Sequence, residues 1–124
     1  MAELAGLRAL VVEDEGGVAL LIEAMLEELG CEVALSVATL PKALTAASSE
    51  SFDFAVLDVN LDGQLVFPVA EVLRNRQLPF VFSTGYGRVG VPETFKDCEV
   101  LSKPFAIRDL ERKLRLALQK AIID

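Results

Sequence analysis

Hydrophobic and polar positions along this chain switch repeatedly between two periods. Leu7 to Glu13 is a nearly continuous apolar run, as a strand buried on both faces requires. Val18, Leu21, Ile22, Met25, Leu26 and Leu29 then recur at helical spacing, with Gly30 where a C-terminal cap belongs. Glu32 to Val37 alternates weakly and predicts a second strand. Leu40, Ala43, Leu44 and Ala47 outline a second helix, with Thr39 as its expected N-cap and Pro41 just inside. Phe52 to Leu57 predicts a third strand, and Val66, Val69, Ala70 and Leu73 a third helix. Pro79 to Phe82 predicts a fourth strand and Val100-Leu101 a short fifth. Ile107, Leu110, Leu114, Ala117, Leu118 and Ala121 form the clearest helical stripe and close the chain. Between the last two strands, Gly85 to Asp97 holds Gly85, Gly87, Gly90 and Pro92 and few periodic apolar residues. Alternation predicts a fourth helix there, short and loosely held.

Five β–α units with apolar strands predict an α/β fold, a doubly wound parallel sheet with helices on both faces. Right-handed crossovers and the acidic strand ends favour the flavodoxin-like (βα)5 arrangement, strand order 2-1-3-4-5, over residues 1–124 as one domain with no output domain. Strands 1 and 3 then adjoin at the switch point, which sets Glu13, Asp14 and Asp58 side by side. Ser83-Thr84-Gly85 and Ser102-Lys103-Pro104 end the next two strands at the same edge, outside the carboxyl ends, where open α/β sheets bind ligands.

Composition narrows the function. The chain is 52% hydrophobic over 124 residues and can bury a core. A net charge of -7 argues against direct nucleic-acid binding, which needs clustered Lys and Arg. No apolar run approaches the roughly 20 residues of a membrane span, so no membrane insertion is expected. The start, Met1-Ala2-Glu3-Leu4-Ala5, lacks a cationic leader region, which predicts a cytoplasmic protein. Cys31 and Cys98 have no CxxC spacing and read as small buried residues. The absence of histidine excludes a histidine phosphoacceptor, Ser-His-Asp or Cys-His catalysis and histidine metal ligation. No GxxxxGK[ST] run is present, which excludes a P-loop.

Three close carboxylates repel one another and raise each other's pKa, a cost that a divalent cation relieves. Hard oxygen ligands in small number suit Mg²⁺, with Mn²⁺ as a substitute. A carboxylate can also carry a phosphoryl group, and Asp58, alone at a strand end facing the acidic pair, is the candidate nucleophile. Phosphoryl transfer is mostly positioning and electrostatics, which Mg²⁺, the Lys103 ammonium and the Thr84 hydroxyl would supply. Each group has a plainer reading: Asp58 as a turn residue, Thr84 as a helix cap, Lys103 as a surface cation. Glu15 reads as a first-turn charge on the helix dipole. Asn60, Asp62 and Gly63 are ordinary loop residues by composition. Arg108, Arg112, Lys113, Arg115 and Lys120 read as a solvated basic face on the last helix, or as a docking surface.

In that order, the acidic pair, Asp58, Thr84 and Lys103-Pro104 resemble the receiver domain of two-component response regulators over essentially the whole chain. Val11-Val12-Glu13-Asp14-Glu15 is similar to its first-strand acidic motif, Asp58 falls on the phosphoacceptor, Thr84 on the switch hydroxyl and Lys103-Pro104-Phe105 on the Lys-Pro motif. The resemblance implies that Asp14 and Asp58 ligate Mg²⁺ directly, Asn60 through its backbone carbonyl and Glu13 through a water. It further implies a cis Lys103-Pro104 bond and a phosphoryl donor that is a phosphohistidine on a histidine kinase or histidine phosphotransfer protein. Phosphorylation and slow dephosphorylation of Asp58 would be self-catalysed. A downstream protein partner would meet the face built by the fourth helix, fifth strand and fifth helix. Pro79-Phe80-Val81-Phe82-Ser83-Thr84-Gly85-Tyr86-Gly87 is similar to the PFxFATGY signature of the FAT GUY group of single-domain receivers of alphaproteobacteria, implicated in stress signalling. Ser83 stands where that signature has Ala.

Receivers commonly place Tyr or Phe three residues before the Lys, and here that position is Val100. Tyr86, two residues after Thr84, is therefore the candidate switch aromatic beside Thr84 and Val100. The rival readings are a phosphorylation-independent pseudo-receiver that binds a partner protein, and a small phosphatase with an aspartyl-phosphate intermediate. The phosphatase lacks its second acid, because Asn60 stands two residues after Asp58. A flavodoxin is weaker still, since the chain has no Trp and one Tyr.

Overall fold

The computed structural model describes residues 3–123; Met1 and Ala2 of the acidic start, and Asp124, lie outside them. Among the described residues, eleven strands and α-helices follow in order: β1 (Arg8–Val12), α1 (Gly16–Glu28), β2 (Glu32–Val37), α2 (Leu40–Ser49), β3 (Phe54–Asp58), β4 (Asn60–Leu61), β5 (Gln64–Leu65), α3 (Phe67–Asn75), β6 (Phe80–Thr84), β7 (Glu99–Ser102) and α4 (Ile107–Ile123). The main sheet is parallel throughout, with spatial order β2-β1-β3-β6-β7. That is the predicted flavodoxin-like order once the small β4–β5 hairpin is set aside.

Strand alternation divides the core in two. Leu10, Val12, Ala55, Leu57 and Phe82 face α2 and α3, where Ala43, Ala47, Val69, Ala70 and Leu73 cover them. Ala9, Val11, Phe54, Val56, Val81 and Leu101 face α1 and α4 and meet Ile22, Leu26, Leu110 and Leu114. β1, β3 and β6 are therefore buried on both sides, which is why their sequences read as continuous apolar runs rather than alternating ones. Gly30 follows α1 with φ +91°, and a Cβ there would stand 3.2 Å from the Ala5 Cα, so both conformation and space favour glycine.

Several boundaries and one element differ from expectation. The Gly85–Asp97 stretch forms no α-helix; it holds one 3₁₀ turn, Glu93–Phe95. The described residues thus form four α-helices rather than five. Gly87 and Gly90 adopt positive φ, of 59° and 93°, and Pro92 removes a donor, so the i→i+4 ladder cannot propagate. The third strand begins at Phe54 and ends on Asp58 itself. Thr39 has the extended backbone of an N-cap, but its side chain makes no capping bond; Pro41 in the first turn carries that helix start instead. Cys31 is buried as expected, whereas Cys98 is only partly so.

Residues 60–65 form an antiparallel hairpin that the loop-like composition concealed. Asp62 and Gly63 both take positive φ, 52° and 89°. Consecutive left-handed residues make the primed turn that joins two-residue hairpins, and an Asp-Gly pair is its sequence signal.

Candidate functional site

Parallel pairing brings the carboxyl ends of β1, β3, β6 and β7 to one edge. Val12 pairs with Leu57, so Glu13 and Asp14, the next residues along, adjoin Asp58. Asp58 in turn pairs with Ser83, and Thr84 with Ser102, directly before Lys103. The backbone N–H of Lys103 donates to the Thr84 carbonyl at 2.8 Å, which extends the β6–β7 ladder by one bond and fixes where the lysine leaves the sheet. The Lys103-Pro104 peptide is cis, as the resemblance implied.

Glu13 and Asp58 are buried, 2% and 6% exposed, and Asp14 is half-buried. Each offers a carboxylate oxygen, and the three oxygens lie within 4.8 Å of one another. The Lys103 Nζ donates to Glu13 Oε1 at 2.9 Å and stands 3.5 Å from Asp58 Oδ1. The other Glu13 oxygen accepts the Glu15 N–H at 3.2 Å. One lysine therefore faces three acids.

The electrostatics follow from that imbalance. Burial first, then the Glu13 charge and a hydrogen bond with Asp14, push the Asp58 carboxyl up to about 7, against the pull of Lys103. Burial opposes the charge of Lys103, yet its bonds to Glu13 and attraction to Asp58 outweigh it and raise its pKa. The ammonium stays charged at neutral pH, while Asp58 has a reason to hold a proton or to receive a second cation. An all-oxygen set of one half-open and two buried carboxylates fits a hard divalent ion such as Mg²⁺.

Asn60 sits at the start of the hairpin. Its N–H approaches Asp58 Oδ1 at 3.4 Å, and its side-chain oxygen accepts the Gly63 N–H at 2.6 Å. Thr84 is 4% exposed, and its hydroxyl oxygen accepts the Tyr86 N–H at 3.1 Å, pinning the chain as it leaves β6. The Tyr86 residue is 77% exposed, while Val100 is buried in β7 beside Phe82. Of the three switch candidates, Tyr86 thus lies on the surface, and Thr84 and Val100 are buried.

Two features escaped sequence reasoning. Arg74 lies over the ring of Phe95, 4.4 Å from its centroid, and donates to the Thr94 carbonyl at 2.9 Å. Ser83, a single hydroxyl within an apolar strand, lies fully buried at the register position of Asp58. The basic face of the last helix is also less solvated than expected. Lys113 and Lys120 both pair with Glu99, at 3.2 and 2.7 Å, and Arg115 pairs with Glu111 at 2.9 Å. Burial raises the Glu99 carboxyl, but the two lysines more than reverse that and leave it below its ordinary value.

Comparison with known proteins gives the same geometry a family. The response regulator receiver domain model matches residues 9–115. The solution structure of SdrG from Sphingomonas melonis is similar at 39% identity and a TM-score of 0.82, covering 95% of this chain and 99% of that one. The response regulator PhyR from Brucella abortus is 28% identical with a TM-score of 0.76, over 93% of this chain and 49% of its own. The receiver domain of a sensor histidine kinase from Pseudomonas aeruginosa is 26% identical with a TM-score of 0.75, over 93% and 99%, and was solved with magnesium coordinated in its active-site cleft. No curated protein sequence matches. With its sheet order, its acidic edge and a family match over most of its length, the chain belongs to the response regulator receiver domains of two-component signalling.

Proposed function

We propose that this receiver takes a phosphoryl group onto Asp58 from a phosphohistidine of a histidine kinase or histidine phosphotransfer protein. The observation that carries the proposal is a buried carboxylate at a strand end, flanked by Glu13 and Asp14 and held 3.5 Å from the Lys103 ammonium. Asp14 and Asp58 would hold Mg²⁺, with the Asn60 carbonyl, and Glu13 would act through a water. Bound Mg²⁺ would supply positive charge to the equatorial oxygens of the transferring group.

The chain's own residues do the rest. Glu13 orients Lys103 through a 2.9 Å bond, so the ammonium lies beside Asp58 with little freedom left to lose. The Thr84 hydroxyl, bonded at its oxygen to the Tyr86 N–H, retains its proton for donation to a phosphoryl oxygen. Ordering of that hydroxyl would reach the Tyr86 backbone directly, and through it the Gly85–Asp97 segment, which couples phosphorylation to the surface that a downstream protein reads. Stress-response signalling is the setting that the Pro79–Gly87 run implies.

Incubation with acetyl phosphate and Mg²⁺, followed by intact mass, is the direct test. One added phosphoryl group is expected, lost in Asp58→Ala and without Mg²⁺. If no adduct forms and the folded chain also fails to bind beryllofluoride, the phosphoacceptor reading is wrong and a pseudo-receiver that binds its partner without phosphorylation takes its place.

A further inference from the structure

In the hairpin that follows Asp58, Asn60 pairs with Leu65 and Leu61 with Gln64. The Val66 N–H donates to the Val59 carbonyl at 2.9 Å, which makes Val59 and Val66 a hydrogen-bonded pair. Such pairs alternate with pairs whose backbone groups face away from the partner strand, and Asn60–Leu65 is the next along. In extended backbone the N–H and C=O of one residue leave the strand on the same side. The Asn60 N–H approaches Asp58 Oδ1 at 3.4 Å, so the Asn60 carbonyl also leaves toward the acidic edge. The side-chain oxygen of Asn60 is held over the turn by the Gly63 N–H at 2.6 Å, so what this residue offers the edge is its main chain. Val59, Leu61 and Val66 are buried and root the hairpin in the core. The turn itself is a matter of conformation. Asp62 and Gly63 have φ of 52° and 89°, and a Cβ on Gly63 would meet nothing within 4 Å. A side chain at Gly63 therefore adds backbone strain without a clash.

We propose that the Asp62-Gly63 turn sets the affinity of the acidic edge for Mg²⁺, by closing the hairpin that holds the Asn60 carbonyl at that edge before the cation arrives. The proposal rests on the reading of Asp58 as a Mg²⁺-dependent phosphoacceptor. It adds two positioning residues that touch neither the cation nor the phosphoryl group. An open loop over residues 60–65 would have to be ordered on binding, and that entropy would be subtracted from the affinity. A carbonyl already directed at the edge loses little further freedom. Two-residue strands contribute few bonds of their own, so the turn conformation decides whether the hairpin stays closed. When part of the population opens, the apparent affinity falls by the fraction that remains closed.

The test titrates Mg²⁺ into the full chain and into its Gly63→Val and Gly63→Asn variants, following backbone amide shifts by NMR. Valine is strained at positive φ, and Gly63→Val should weaken Mg²⁺ binding about five- to thirtyfold. Asparagine tolerates that conformation, and Gly63→Asn should stay within about threefold of the unaltered chain. Gly63→Ala, which is less strained than valine, takes its place if the valine variant does not fold. A lowered thermal midpoint with unchanged Mg²⁺ affinity would mean that the turn supports only the fold, and the inference fails. It fails as well if Gly63→Asn loses as much affinity as Gly63→Val, because conformation would then not be the cause. If the unaltered chain neither binds Mg²⁺ nor takes an adduct from acetyl phosphate, the phosphoacceptor reading falls first and this inference with it. An unaltered chain that does both, beside a Gly63→Val variant that binds Mg²⁺ equally well, refutes this inference alone.

Discussion

At Asp58, burial and the Glu13 charge favour the neutral carboxyl, and Lys103 at 3.5 Å offsets them only in part. A folded-state pKa of about 7 lies above the ordinary 3.8. The folded chain therefore binds more protons than the unfolded one between those values. Asp58's contribution to stability is full below the ordinary value and is lost as pH rises through about 7. Asp58→Asn removes that loss. In EDTA at pH 8 the variant should be more stable than the unaltered chain by on the order of 1–3 kcal/mol, and at pH 5 the gap should shrink. Urea unfolding at the two pH values checks both the sign and the trend. Much of this site was legible in the sequence, because an acidic pair, a lone Asp and a Lys-Pro, each closing an apolar run, converge on phosphoryl chemistry. Ser83 was not legible as anything special, because one hydroxyl in a β-run has no pattern, and only register shows that it stands beside Asp58.

Among the elements, the Gly85–Cys98 passage departs furthest from the regular alternation of strand and helix. It crosses the sheet edge with turns, closing bonds such as Val91 N–H to the Arg88 carbonyl at 3.1 Å, and with the Arg88 guanidinium on the Cys98 carbonyl. What anchors it is Phe95, 2% exposed. Its ring lies 5.7 Å from that of Phe67 and 5.6 Å from that of Phe82, under the Arg74 guanidinium. Phe95→Ala should cost about 3 kcal/mol in urea unfolding and speed amide exchange from residue 85 to 98 more than in β6. Uniform exchange across both would show that the ring supports the whole core rather than the passage. The glycines and Pro92 do mark this stretch in the sequence, yet alternation argued for a helix. Backbone conformations at Gly87 and Gly90 decided otherwise, and no periodicity count contains them.

For the molecule as a whole, a cation held at the acidic edge would be coupled to folding. The described strands meet with three carboxylates at one point, and only the folded chain assembles them. A ligand that binds the folded state alone stabilises it by mass action, about 2.7 kcal/mol at a concentration a hundredfold above Kd. Mg²⁺ should therefore raise the thermal midpoint of the unaltered chain with a concentration dependence that saturates, and Asp14→Ala should flatten that response. Equal responses in both would point to general screening of the net charge of -7 instead. At this scale the sequence was most informative. Strand order followed from crossover handedness and from which strand ends were acidic, and the structure reproduces it. The β4–β5 hairpin lay hidden because two-residue strands are too short to show a period.

Replacing a helix by a turn-rich passage also changes what the fold tolerates. Residues 85–98 contribute no rung to the sheet, and their surface carries Val89 at 80% exposure. Lengthening such a connection costs little, about 0.6 kcal/mol for each doubling, because closure entropy grows only as the logarithm of length. A reporter peptide spliced in at Arg88–Val89 would leave every strand of the main sheet with its present neighbour. The same freedom allows this segment to change length and composition between related chains while the acidic edge stays as it is.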